Sequence, residues 1–241
     1  MPYAEICGKM ETCLRACLKI ALKTEKEGTP VMWQQIIDYF TNNMDTYLTA
    51  VGEHVLISLL SLSIALAVGI PAGIYCAHTK RFRKWITAFF NVLRIVPSFA
   101  VLILLIPIMG TGMRPAMTAL VILAIPPILM NTNAGFESTP EFMLETARGL
   151  GMTEKQIFKK VRIPLALPYI LIGTKTALVE IIASATLAAY IGGGGLGTII
   201  FTGLGLNRTD LLLIGGISVA LLSLFSGFLV SAAEKWIVRY R

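Results

Sequence analysis

Apolar and polar positions segregate along this chain on the length scale of a bilayer. Long apolar runs cover residues 55–77, 86–109, 115–134, 169–191 and 211–233, separated by short polar segments. Some twenty residues at about 1.5 Å rise cover roughly 30 Å, enough to cross the hydrocarbon core. The pattern predicts an all-α integral membrane protein with five core spans and a transmembrane domain over 55–233. Pro71 falls near the end of the first run, Pro97 and Pro107 interrupt the second, and Pro126-Pro127 lie inside the third. Ahead of the first run, Trp33, Ile36, Ile37, Phe40, Met44, Tyr47 and Leu48 recur at helical spacing. Residues 32–54 therefore read as a leader helix, either lying amphipathically on the membrane surface or simply leading into the first span.

The longest polar island, 137–167, has local order of its own. Thr139 is placed to cap a helix that begins near Pro140, which suits a first turn because its missing N–H costs nothing there. Gly149 and Gly151 are available for the left-handed turn that closes it. Thr153, with Gln156 three residues on, has the form of a capping box for a second helix. Pro164 and Pro168 are expected to break the path before the next span. A helix–glycine–helix element between spans is shaped as a docking surface rather than a tether.

Charge orients the bundle. Lysine and arginine number four in 78–84, five in 137–167 and three in 234–241, against one each near 110–114 and 192–210 and none in 27–54. Basic loops stay on the cytoplasmic side. Five spans then put the amino terminus outside, and the 137–167 island and the tail 234–241 in the cytoplasm. The chain has 241 residues, is 55% hydrophobic and 15% charged, and carries a net charge of +7. Because the basic residues flank apolar runs, that charge follows from topology and does not point to nucleic acid. Residues 1–31 are polar and of mixed charge with no signal-peptide form. Met32 reads as the initiator, with 1–31 from an over-extended frame, which mass spectrometry of the amino terminus decides.

Chemistry is sparse. His54 and His78 have no zinc-like spacing, and Cys7, Cys13, Cys17 and Cys76 form no paired pattern. Gly192, Gly194 and Gly197 satisfy G-x-G-x-x-G, but an apolar span precedes them where a dinucleotide site needs a strand. There is no G-x-x-x-x-G-K-[ST] and no acid–base or nucleophile pair, so no catalytic residue is assigned. Three charged residues, Arg94, Lys175 and Glu180, fall within apolar runs, and Lys175 and Glu180, five apart, are poorly placed to pair on one helix face. Glu180 sits mid-run, with a cavity-facing or an interface role open to it. Arg94 either lines a pathway or snorkels to the cytoplasmic headgroups.

Glu145, Thr146, Ala147, Gly151, Val161, Ile163 and Pro164 resemble the cytoplasmic loop signature of permease subunits of binding-protein-dependent ABC importers. That signature is Glu-Ala-Ala, three residues, Gly, nine residues, Ile, one residue, Leu-Pro. Spacing is kept throughout, and Thr146, Val161 and Ile163 are conservative departures. The run 187–197, Thr202-Gly203-Leu204-Gly205, Ile95-Val96-Pro97-Ser98 and Met130-Asn131-Thr132 are similar to the osmoprotectant branch. The resemblance covers about 33–241. It implies a type I (MetI-like) five-helix permease with a coupling-helix loop and no bound cofactor. ATP is bound by a partner ATPase; a second permease, same or homologous, and an external binding protein complete the machine. The implied cargo is glycine betaine, carnitine or choline, with another small solute such as an amino acid as the alternative. Glu180 and Arg94 are the candidate pathway residues.

Overall fold

The computed structural model describes residues 32–238, and the expectations for 1–31 and for the last residues of the tail lie outside it. The described residues form helices and short connections. A first helix, α1, covers 32–42 and breaks at Asn43. It is followed by α2 (Met44–His78), α3 (Lys80–Leu93), α4 (Ser98–Met109), α5 (Met113–Glu137), α6 (Glu141–Gly149), α7 (Glu154–Ile157), α8 (Ile163–Ala188), α9 (Leu196–Gly205) and α10 (Thr209–Val238). Helix α2 alone has 35 residues, about 50 Å of helix, so the second part of the leader, from Met44, and the first span share one rod.

The centre of the bundle is α5, held between α2 and α8. In lipid, helices associate through close packing and not through water exclusion, so small residues sit where axes approach. Gly73 of α2 lies where a Cβ would come within 2.6 Å of Thr132, and Gly173 of α8 where one would come within 2.8 Å of Asn131. Thr132 and Asn131 are neighbours on α5, so glycine on each flanking helix lets α5 be clasped from two sides. Around this clasp Ile57, Leu102, Leu120, Ile128, Ile181 and Ile182 are buried.

Polar ties fix the end of the bundle opposite the 137–167 island. His54 on α2 is fully buried, with Nε2 3.1 Å from the Ile182 carbonyl of α8. The Gly195 N–H donates to Glu53 Oε2 at 2.9 Å, and Arg208 Nε donates to Asp210 Oδ1 at 3.2 Å. The polar segment 192–210 between two apolar runs contains α9, which packs beside α10.

Two expectations need correction. Residues 86–109 are not one straight span: the α3 and α4 segments meet at 92°. Pro97 caps α4 with an extended ψ of 131°, and a residue preceding proline is disfavoured in the helical region, so the turn at Arg94–Val96 cannot continue α3. Four helices are long and apolar enough to span by themselves, and the bent pair makes a fifth if counted as one. On α3, Trp85, Phe89 and Val92 form an exposed apolar stripe at helical spacing.

Second, Pro164 and Pro168 do not break the chain. Residues Glu154–Ile191 form one continuous helical path of 38 residues. A π-helical turn, Phe158–Arg162, lies directly before Pro164, and the Ile163 N–H reaches back to the Phe158 carbonyl. A wider turn changes the local hydrogen-bond pattern just where proline removes a donor, and Pro164 then falls in the first turn of α8. The island is therefore joined rigidly to a span.

Candidate functional site: the knuckle between two spans

The 137–167 island folds into a compact knuckle built by its own sequence. Helix α6 starts after Pro140, whose extended ψ of 138° makes it the N-cap. The expected Thr139 cap is not formed: the Thr139 hydroxyl makes no hydrogen bond, and Pro140 stands at the cap instead of inside the first turn. The carboxyl end follows the Schellman pattern. Met152 N–H donates to the Ala147 carbonyl at 3.1 Å and Gly151 N–H to the Arg148 carbonyl at 2.9 Å. This closure needs Gly151 at φ +75°, where a side chain is strained. Gly149 is helical and plays no such part.

The second half is capped as its sequence requires. The Thr153 N–H donates to Gln156 Oε1 at 2.8 Å and the Gln156 N–H to Thr153 Oγ1 at 3.4 Å, a complete capping box. Arg148 Nε bonds Glu154 Oε1 at 3.0 Å across the turn, joining the two halves. The knuckle is then seated on the bundle by aromatic rings. Phe158 stacks on Phe136 near the end of α5 at 5.6 Å, and His78, the last residue of α2, lies 6.1 Å from it.

Signature residues divide by exposure. Ala147 is buried at 5% exposure, so its methyl group faces inward. Glu145, Thr146 and Gly151 are exposed, with Thr146 Oγ1 bonded to the Phe142 carbonyl at 2.7 Å. Val161, Ile163 and Pro164 are half-buried where the knuckle runs into α8. The sequence reading missed Phe142 and Leu150. They are 65% and 77% exposed. Their signal was present as large apolar residues in a polar island.

Arg94 and Glu180, far apart in sequence, are brought together. Arg94 is exposed in the bend between α3 and α4, and its charge acts on the half-buried Glu180 carboxylate of α8. Lys175 turns elsewhere, its Cε lying 3.8 Å from where a Cβ on Gly227 of α10 would stand. About ten residues beyond Glu180, Tyr190 meets Phe99 at 5.6 Å and Phe201 at 5.5 Å, and Tyr190 is 61% exposed. Sequence alone gave no reason to group rings from α4, the end of α8 and α9.

A rigid, polar, apolar-tipped knuckle on a multi-pass bundle narrows the comparison with known proteins. Residues 69–239 match the family described as the binding-protein-dependent transport system inner membrane component. The chain belongs to that family. It is therefore a multi-pass membrane permease subunit of an ABC importer and not an enzyme. The carnitine transport permease protein OpuCB of Listeria monocytogenes is 39% identical over 199 residues, covering 83% of this chain and 91% of the relative. The glycine betaine/carnitine/choline transport system permease protein OpuCB of Bacillus subtilis is 34% identical, covering 83% and 93%. The osmoprotectant import permease protein OsmY of Salmonella typhimurium is 37% identical, covering 71% and 74%. The inward-facing MetNI methionine ABC transporter superposes with a TM-score of 0.69 at 24% identity, covering 82% of this chain and 96% of that one. An amino acid ABC transporter gives 0.62 at 18%, covering 81% and 96%. These two likenesses establish the type I importer permease fold.

Proposed function

We propose that this permease carries quaternary ammonium osmoprotectants, of the glycine betaine, carnitine and choline class, into the cell. ATP hydrolysis on a separate subunit drives the step. The observation that carries the coupling half of the reading is the exposure of Phe142 and Leu150 on a capped, braced helix. Exposed apolar residues on such an element suit burial in a groove of the ATPase. Closure of an ATPase dimer would move α6, and the continuous path from Glu154 into α8 passes that motion to the bundle as rocking. The amino terminus then lies outside and the carboxyl terminus in the cytoplasm, in keeping with the basic loops. A second permease, the same chain or a homologue, and an external binding protein complete the machine.

The cargo half is supported by the relatives' names and by two features of this chain. Glu180 offers a carboxylate within the electrostatic reach of Arg94, two charges suited to a solute that carries a cationic group and, in betaine and carnitine, a carboxylate as well. Tyr190, with Phe99 and Phe201, offers ring faces to which a quaternary ammonium is attracted. Affinity rests chiefly with the binding protein, so the permease needs only a weakly binding path. The test is uptake of labelled glycine betaine, carnitine, choline and methionine by the complex in vesicles. Uptake of the three quaternary ammonium solutes, but not methionine, is the expected result. Methionine uptake without them would replace the cargo assignment.

A further inference from the structure

Between the second half of the knuckle and the end of α2 lies a cavity of about 370 Å³, lined by His78, Glu154, Lys155, Phe158, Lys159 and Arg162. Lys155, Lys159 and Arg162 all come from one continuous helical path and together line the cavity. Among the lining residues one carboxylate opposes these three cations, and that carboxylate, Glu154, is already held by Arg148 at 3.0 Å. The walls are chiefly carbon, from the Phe158 ring and the aliphatic stems of the basic residues. The volume is in the range of small-ligand sites. Its position is at the ends of spans: His78 closes α2, Phe158 stacks on Phe136 near the end of α5, and Arg162 leads into α8. Membrane headgroups occupy that level.

We infer that this cavity binds the phosphodiester headgroup of one anionic membrane lipid. A free phosphate would use the cations but not the carbon walls. A lipid uses both, its phosphate at the basic rim and its glycerol and upper chain along the stems and the ring. The bound lipid joins the end of α2 to the helix that carries the knuckle, at the point where α6 motion enters the bundle. The inference rests on the membrane-coupling reading above for that consequence, but not for the binding itself.

The test uses the whole complex with its ATPase, exchanged into vesicles of phosphatidylcholine alone or with phosphatidylglycerol, and native mass spectrometry of lipid retained per permease. Wild type is expected to keep one phosphatidylglycerol, and the Lys155→Gln/Lys159→Gln double variant to keep roughly tenfold less, since each basic residue near an anionic surface contributes appreciably. Lys155→Arg/Lys159→Arg should retain it and controls for assembly. Equal retention by wild type and the glutamine variant overturns the inference. Displacement of the lipid by millimolar inorganic phosphate equally overturns the lipid assignment in favour of a free anion. Because retention is read without transported solute, its failure leaves the cargo reading untouched, and a failed uptake assay leaves the lipid site standing.

Discussion

At Gly151 the backbone, not the available space, limits what the chain can tolerate. Its φ is +75°, yet a Cβ added there meets nothing within 4 Å. Substitution therefore costs about 1–2 kcal/mol of local strain and creates no clash. Asparagine and aspartate tolerate that conformation better than other residues, so Gly151→Asn and Gly151→Asp should both insert and accumulate. Aspartate also adds charge to the docking face. We expect Gly151→Asp to lose transport at least tenfold while Gly151→Asn loses less, measured as solute uptake at equal membrane abundance; normal uptake by Gly151→Asp would remove the docking role. Glu180 is tested by Glu180→Gln, which keeps size and removes charge. Uptake of choline, a cation without a carboxylate, should fall about tenfold with co-purification of the ATPase unchanged. Unaltered choline uptake would assign Glu180 to packing. Arg148 and Glu154 bond one another while more than half exposed, at 54% and 72%. Surface pairs contribute little, so Glu154→Gln should change uptake less than twofold.

Among the elements, α5 depends on glycines of its neighbours and the knuckle depends on its own caps. Gly173 sits where a Cβ would come 2.8 Å from Asn131 and 3.0 Å from the Pro127 carbonyl. Gly173→Leu should force α8 from α5 at a cost of about 1–3 kcal/mol or more, a fall of several degrees in Tm of the detergent-solubilised complex. Gly52→Ala, with nothing near its added carbon, is the matched control and should leave Tm within about a degree or raise it slightly. The π-helical turn before Pro164 belongs to the same scale. It explains how a signature ending in proline can continue without interruption into a span.

For the molecule in its membrane, direction and partners are the quantities to test. A membrane-impermeant amine reagent applied to intact cells should leave Lys155 and Lys159 unmodified and reach them once the membrane is opened. Labelling from outside would invert the topology and separate the knuckle from any cytoplasmic ATPase. Co-purification of an ATPase with wild type, weakened by Phe142→Ser or Leu150→Ser, would locate the contact on the exposed apolar tip of the knuckle. Retention at wild-type levels by both variants would move it elsewhere.

Hydrophobic run lengths were enough for an all-α membrane bundle, because they are a local and periodic property, and the resemblance carried by the spacing from Glu145 to Pro164 was enough for the permease family. The capping box at Thr153 and the turn at Gly151 were equally readable, since caps act within a few residues. Thr139 was misread because Pro140 supplied an extended N-cap first. The 92° bend at 94–97 was only hinted at by Pro97, and the unbroken passage through Pro164 was not foreseen, because the π turn that accommodates it has no strong sequence mark. Other features needed tertiary structure altogether: Arg94 beside Glu180, the rings of Phe99, Tyr190 and Phe201 together, and His78 facing Phe158. These residues lie tens to about a hundred positions apart, and only the clasp of α2 and α8 on α5, with the bend that returns α4 to the bundle, brings them near one another.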